Sequence, residues 1–352
     1  MPIRVLLVED SQVTLAILRR ILNSSPEIQV VGEARTGLEA LELIPQVQPD
    51  VICTDLHMPQ MDGLEFTSEV MTLCPRPILV ISAWIKEEDS PHVFQLLEAG
   101  ALDIFHKPTA GLSSEDKLLN QELLDKIQIL SGVKVFKKKR KSRSPIKSLD
   151  SFSSKPHINA EIVVIGASTG GPQAINELLT QLPADFPIPI VCVQHICVGF
   201  LQGFIDWLVT SCKLPIEIAR PGSLPKPGTI YFPPEQQHLE LDARGRFICS
   251  DAPSLDGHRP SVTVTFKSVA NFYRGATVGI LLTGMGRDGA EGMQSIAQAG
   301  GLTIAQDEAT SAIFGMPKEA IDLGAAKLVL PIHAIAPKLL QLLQKQKLLS
   351  GK

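Results

Sequence analysis

"IGASTGGPQAI", residues 165–175, joins two kinds of periodicity. It continues the strand candidate "EIVVIGA" (161–167), apolar from Ile162 onward, of the sort shown by a strand buried on both faces. After it, Ala174, Ile175, Leu178, Leu179 and Leu182 recur at helical spacing on one stripe. The small residues between predict a tight turn, so the stretch reads as strand, turn and helix start, the repeating unit of a parallel α/β sheet. Inside the turn sits G-x-S-x-G: Gly166, Ala167, Ser168, Thr169, Gly170. A serine there presents its Oγ beside helix-start N–H groups that can stabilise an oxyanion. The competing reading is a phosphate cradle. A P-loop needs a lysine after its last glycine, and none follows Gly171. A dinucleotide loop needs a glycine where Ser168 stands.

The same alternation extends outward. The first ~120 residues hold strand candidates at 5–8, 28–34, 51–55, 78–82 and 101–105, separated by helical patterns such as 11–22 and 36–44. A second series fills 160–348, with strand candidates at 161–167, 189–194, 229–234, 277–284, 302–307 and 327–330 and a hairpin at 238–250. Between them, "KVFKKKRKSRSPIKSLDSFSSKP" (134–156) is basic, serine-rich and nearly devoid of aromatics. It lacks the apolar surface to order itself and reads as a flexible linker, preceded by a helical stretch at 116–130. The expected division is 1–122, a connecting segment 123–156, and 157–348.

The 352 residues carry a net charge of −4, 44% hydrophobic and 20% charged residues, as in ordinary globular domains. No global basic field points to nucleic acid. "MPIRVLLVED" reaches acidic residues before any usable apolar segment, so no secretory leader is expected, and no apolar run has the length of a membrane span. The six cysteines include no C-x-x-C pair and several lie in apolar strands, as reduced thiols do. The expected location is the cytoplasm.

In the first domain, Glu9 and Asp10 end the first strand and Asp55 ends the third. In a doubly wound sheet those ends meet at the switch point where ligands bind. Three carboxylates together repel unless a cation joins them, and oxygen-only ligands suit Mg²⁺. Lys107, after the fifth strand, and Ser82, ending the fourth, would bring an ammonium and a hydroxyl to the same edge. Such a set could accept and stabilise a phosphoryl group. Taken alone, Asp10 could equally cap the helix that follows it.

"LLVED", "DLHMPQMDG" and "FHKP" resemble the receiver domain of two-component response regulators over about residues 3–122. The resemblance implies that Asp55 is the phospho-acceptor and that a histidine kinase is the phosphodonor. It implies that Glu9, Asp10, Asp55 and the backbone carbonyl of His57 bind Mg²⁺, and that Ser82 and Lys107 contact the phosphoryl group. Receivers often have an aromatic switch residue three before the lysine; here Ile104 stands there, with Phe105 one later.

In the second domain, Ser168 needs a base. His195 directly follows the apolar run "PIVCVQ", again at a strand end; His238 and His258, in polar turn regions, are its rivals. "LLTGMGRDGAEGM" (281–293) ends another apolar strand and carries Asp288, which could orient an imidazole or simply make an Asp-Gly turn. The order Ser168, His195, Asp288 differs from the Ser, acid, His order of α/β-hydrolases, so G-x-S-x-G does not bring that fold with it.

"IGASTGGP", "QHI" (194–196), "HRPSV" (258–262), "LTGMGRDGAEGM" and "FGMPKEA" (314–320) resemble chemotaxis protein-glutamate methylesterases of the CheB type. With the receiver and linker, the resemblance covers nearly the whole chain. It implies two doubly wound parallel-sheet α/β domains, a flavodoxin-like receiver and a Rossmann-like catalytic domain with a Ser168/His195/Asp288 triad. It implies glutamyl methyl esters on chemoreceptor helices as substrates, with deamidation of specific glutamines as a second activity, and no cofactor for the esterase chemistry. The N–H groups of Thr169 and Met285 are candidate oxyanion donors. Two departures from the family pattern are Thr263, where Asp is common, and "PPEQQH" (233–238), where a Gly/Asp-containing loop is usual.

Overall fold

The computed structural model describes residues 1–82, 90–108, 114–133, 135 and 159–350. Nearly all of the expected linker lies outside these residues.

The first domain runs β1 (Ile3–Val8), α1 (Gln12–Leu22), β2 (Ile28–Ala34), α2 (Gly37–Val47), β3 (Val51–Thr54), α3 (Gly63–Leu73), β4 (Ile78–Ser82), α4 (Ser90–Ala99), β5 (Asp103–His106) and α5 (Ser114–Ser131). Its five strands are parallel in the order β2-β1-β3-β4-β5. Side chains alternate faces along a strand. Accordingly, Val5 and Leu7 join the core under α1 and α5, while Leu6 and Val8 join the one under α2 to α4. Helix starts are set locally: Ser11 caps α1, Thr36 caps α2 and Asp62 caps α3, each side chain accepting from first-turn N–H groups. The fifth strand was expected at 101–105. It begins two residues later, because Gly100 adopts φ +126 and turns the chain there.

The second domain runs β6 (Ile162–Ala167), α6 (Gly171–Leu179), β7 (Ile190–Gln194), α7 (Leu201–Val209), β8 (Ile216–Ile218), β9 (Ile230–Phe232), β10 (His238–Leu241), β11 (Phe247–Ser250), α8 (Val262–Tyr273), β12 (Thr277–Leu281), α9 (Ala290–Gln298), β13 (Leu302–Gln306), α10 (Met316–Asp322), β14 (Leu328–Leu330) and α11 (Ile332–Ser350). Seven strands form one parallel sheet, ordered β14-β13-β12-β6-β7-β9-β8. β10 and β11 form the expected antiparallel hairpin. The central β6 is buried throughout, and the α6 stripe of Ala174, Ile175, Leu178 and Leu179 is buried beneath it. Strand order reverses between β6 and β12, which places a crevice at their C-terminal ends. No helix among the described residues is long and apolar enough to cross a membrane.

One buried cluster runs without a break from Leu6, Val80 and Phe94 of the first domain to Phe204, Trp207 and Ile165 of the second. The two domains therefore share a core.

Candidate active site and its receiver

Ser168 leaves the end of β6 with its N–H donating to the Thr283 carbonyl (3.0 Å) and its carbonyl accepting from the Gly171 N–H (2.7 Å). Gly170, the cap of α6, sits at φ +74, a conformation glycine adopts without strain. Thr283, just past β12, braces the turn: its hydroxyl lies 3.0 Å from the Thr169 carbonyl and accepts from the Ile313 N–H at 2.9 Å. Gly284 follows, and a Cβ there would come within 2.8 Å of the Ser168 Cβ. Ser168 is thus held in a tight, 7% exposed niche.

His195 emerges from β7 one strand away. Its N–H donates to the Ala167 carbonyl (3.0 Å), extending the strand pairing to the end of β6. Its Nε2 meets Asp288 Oδ2 at 2.9 Å. Its Nδ1 is buried and has no partner among the described residues, which leaves it for a serine hydroxyl. Asp288 is 3% exposed. Its Oδ1 accepts from Ser261 Oγ (2.9 Å) and the Thr263 N–H (2.8 Å), and its Oδ2 also accepts from the Val262 N–H (2.7 Å). These donors are the first turn of α8, so the carboxylate sits at the positive end of a helix. Burial alone would raise the Asp288 pKa, but hydrogen bonding and charge from His195, with the Thr263 donors, hold it well below the ordinary carboxylate range. The carboxylate therefore stays ionised and can fix the imidazole.

Of the rival histidines, His238 is consumed: Nε2 lies 3.1 Å from the Pro253 carbonyl and Nδ1 accepts from the Ser261 N–H at 3.1 Å. His258 stacks on His195 with centroids 3.8 Å apart and planes 13° from parallel. Burial and then the His195 charge push His258 down to about 4, so it is a neutral neighbour at pH 7. The Thr263 hydroxyl accepts from the Gly289 N–H at 2.7 Å and so ties the start of α8 to the loop after Asp288. Among the described residues, neither the Thr169 nor the Met285 N–H has an acceptor.

In the first domain, Glu9, Asp10 and Asp55 each bring a carboxylate oxygen to one place, all within 4.8 Å of one another. Ser11 caps α1, so Asp10 is not used as the cap. Lys107 Nζ reaches Glu9 Oε2 (2.8 Å) and Asp55 Oδ2 (2.7 Å). Burial and the Asp55 charge push the Glu9 carboxyl up, with Lys107 pulling against them. Burial lowers Lys107, yet the two carboxylates more than reverse this and hold it above its ordinary value. The Lys107 N–H donates to the Ser82 carbonyl (2.8 Å), and Ser82 is buried at the same edge. His57 is exposed two residues past Asp55. Three carboxylates against one ammonium leave excess negative charge on oxygen donors, which fits Mg²⁺.

The first domain lies on the second beside Ser168. Thr169 Oγ1 donates to Asp103 Oδ2 (2.8 Å), and Lys126 Nζ donates to the same oxygen (2.6 Å). Burial would lower the Lys126 pKa, but Asp103 outweighs it and holds the ammonium above its ordinary range. Gln173 Nε2 donates to the Ala101 carbonyl (2.7 Å) and Trp207 Nε1 to Glu98 Oε1 (3.0 Å). Phe94 packs against Phe204 and Trp207 at 5.5 and 5.8 Å between centroids. Ile104, at the position of the aromatic switch, is buried in the core shared by the two domains. None of Asp103, Lys126, Trp207, Ser261 and Gln194 was foreseen in the sequence. The available signals were an indole on the helix "LQGFIDWLV" and an amide closing the apolar strand "IVCVQ".

The CheB methylesterase family model matches residues 163–339, and the response regulator receiver domain model matches residues 5–119. A protein-glutamate methylesterase/protein-glutamine glutaminase of Nitrosospira multiformis is 39% identical over 98% of each chain. One from Syntrophus aciditrophicus is 41% identical, covering 97% of this chain and 98% of its own. The crystal structure of the Thermotoga maritima CheB methylesterase catalytic domain is 38% identical with a TM-score of 0.51, covering 53% of this chain and 100% of that one. Two parallel-sheet domains, a serine turn beside a His–Asp pair, and these matches across both domains lead to one assignment: the chain belongs to the CheB methylesterase family and carries a response regulator receiver domain.

Proposed function

We propose that this chain is a phosphorylation-gated serine esterase. It hydrolyses glutamyl methyl esters on the cytoplasmic helices of chemoreceptors, releases methanol, and deamidates specific glutamines there. The observation that carries this reading is the His195–Asp288 pair, whose free Nδ1 stands at the strand end next to Ser168. His195 takes the Ser168 proton through Nδ1 as Oγ attacks the ester carbonyl. The Thr169 and Met285 N–H groups stabilise the oxyanion. His195 returns the proton to the leaving methoxide oxygen, or in the deamidation to the leaving amide nitrogen, which departs as ammonia. It then activates the water that frees Ser168. Asp288 holds the tautomer with Nε2 protonated.

The receiver, residues 1–122, gates this site, and 123–156 joins it to the catalytic domain, 157–348. Asp103 engages Thr169, the residue after the nucleophile, so the receiver stands where a receptor helix would have to enter. A kinase of the chemotaxis type phosphorylates Asp55. Mg²⁺ held by Glu9, Asp10, Asp55 and the His57 carbonyl would supply charge neutralisation for that transfer. Lys107 and Ser82 contact the phosphoryl group, and these contacts, formed only on the phosphorylated receiver, shift the population toward an open arrangement. This reading places the protein in the cytoplasm.

The test is methanol release from methyl-labelled receptor membranes. Ser168→Ala should retain less than about 1% of the wild-type rate, since loss of a triad member removes several orders of magnitude. Activity above that level refutes the nucleophile assignment.

A further inference from the structure

Gln194 closes β7 as its only polar residue and is 4% exposed. Its side chain does something no other group in the site does. Nε2 donates to the Ser168 carbonyl at 2.9 Å and to the His195 carbonyl at 2.6 Å. Both amide protons are used, one on the backbone of the proposed nucleophile and one on that of the proposed base. The last rung between β6 and β7 is the His195 N–H to Ala167 carbonyl bond. Beyond that rung, among the described residues, Gln194 is the one group hydrogen-bonded to the backbones of both Ser168 and His195.

The oxygen end of the amide points the same way. Oε1 is buried with no partner among the described residues. It lies against Gly171, where a Cβ would run into it, so the amide has no room to turn. An apolar side chain of the same volume would avoid an orphaned oxygen, so packing stability does not account for an amide here. What the amide supplies is two donors at a fixed separation.

We infer that Gln194 is a positioning residue for both acyl-transfer steps, setting the distance from Ser168 Oγ to His195 Nδ1 by clamping the two strand ends. The inference rests on the Ser168/His195 reading. Displacement of reacting groups by about 1 Å can lower a rate about 100-fold. Gln194→Met keeps the volume and removes both donors.

The experiment uses the full chain, activated by phosphoramidate and Mg²⁺, with kcat and KM for methanol release, the rate of Ser168 capture by a fluorophosphonate, and the thermal midpoint. For Gln194→Met, kcat and fluorophosphonate capture should fall about 10- to 100-fold together, with KM within about threefold and an unchanged or higher thermal midpoint. Gln194→Glu supplies a readout that a packing role would not move. Ionised, it faces two carbonyls with no donor; protonated, it offers one. Burial raises its pKa, so its kcat relative to wild type should climb as pH falls from about 8 to about 6. A Gln194→Met kcat within about twofold of wild type would overturn the inference. So would a loss that tracks thermal destabilisation with no acid-side recovery in Gln194→Glu. Ser168→Ala, run alongside, separates the two readings: an inactive Ser168→Ala with a fully active Gln194→Met overturns the clamp alone, whereas an active Ser168→Ala overturns the nucleophile assignment beneath it.

Discussion

Replacing Asp103 by alanine tests the gate without touching the catalytic machinery. In the closed arrangement one carboxylate oxygen takes the Lys126 ammonium at 2.6 Å and the Thr169 hydroxyl at 2.8 Å. The bond to Thr169 crosses the domain boundary and exists only when the domains are docked. As a charge-assisted hydrogen bond it contributes about 1.5–3 kcal/mol. The Lys126 side chain is 15% exposed, so without Asp103 the closed arrangement also buries an ammonium that has lost its principal counter-ion. In the open arrangement that ammonium is solvated, so this second penalty falls on the closed form alone. A combined shift of about 2 kcal/mol, the conservative end, moves the open-to-closed ratio about 30-fold. The assay is methanol release by the unphosphorylated full chain, with and without phosphoramidate. Basal activity should rise about 30-fold, up to the fully activated rate, and stimulation by the phosphodonor should shrink by the same factor. A basal rate within about twofold of wild type, with stimulation intact, refutes the argument that Asp103 holds the domains together.

Asp55→Asn should abolish stimulation by phosphoramidate and leave the basal rate of methanol release unchanged, since its side chain lies in the receiver site and not beside Ser168. His258 makes a pH prediction. Burial and His195 lower it to about 4, below its ordinary 6.5, so the unfolded chain takes up a proton that the folded chain refuses. Stability is therefore intact above pH ~6.5 and is lost as pH falls toward ~4, by at most about 3 kcal/mol. Asp288, held below the ordinary carboxylate range, adds its own loss only below about pH 4. The thermal midpoint of His258→Phe should fall less than that of wild type between about pH 6.5 and 4.5; parallel curves would show that His258 is not the group responsible.

Much of the site was legible because strand ends are legible. Glu9, Asp55, Ser82, Lys107, Ser168 and His195 each lie at or just beyond the end of an apolar run, and a parallel sheet gathers such ends on one edge. The choice of His195 over His238 and His258 was not legible from residue type. It depends on which ring nitrogens other groups consume, and the Pro253 carbonyl and Ser261 N–H that occupy His238 are set by loop geometry. The docking of the domains was hidden for a different reason. Thr169 meets Asp103 across 66 positions and Trp207 meets Glu98 across 109, and neither partner interrupts the pattern of its own element. Phe94 and Phe204 look like core residues of their separate domains; only the fold shows that they share one core.

The receiver sheet ends in β5, which among the described residues pairs only with β4. An unpaired strand edge is a template for association with another chain. Here the catalytic domain lies along it: the Ala101 carbonyl just before the strand takes the Gln173 amide, the Ile104 carbonyl faces Cys197 Sγ at 3.9 Å, and Phe94 beside it is covered by Phe204 and Trp207. In the proposed open form this shield is withdrawn at the moment the esterase is released. Activation then uncovers a strip of backbone and aromatic surface that is concealed at rest, so the active enzyme is also the adhesive one, and the lifetime of the phosphoryl group on Asp55 limits how long that strip stays uncovered.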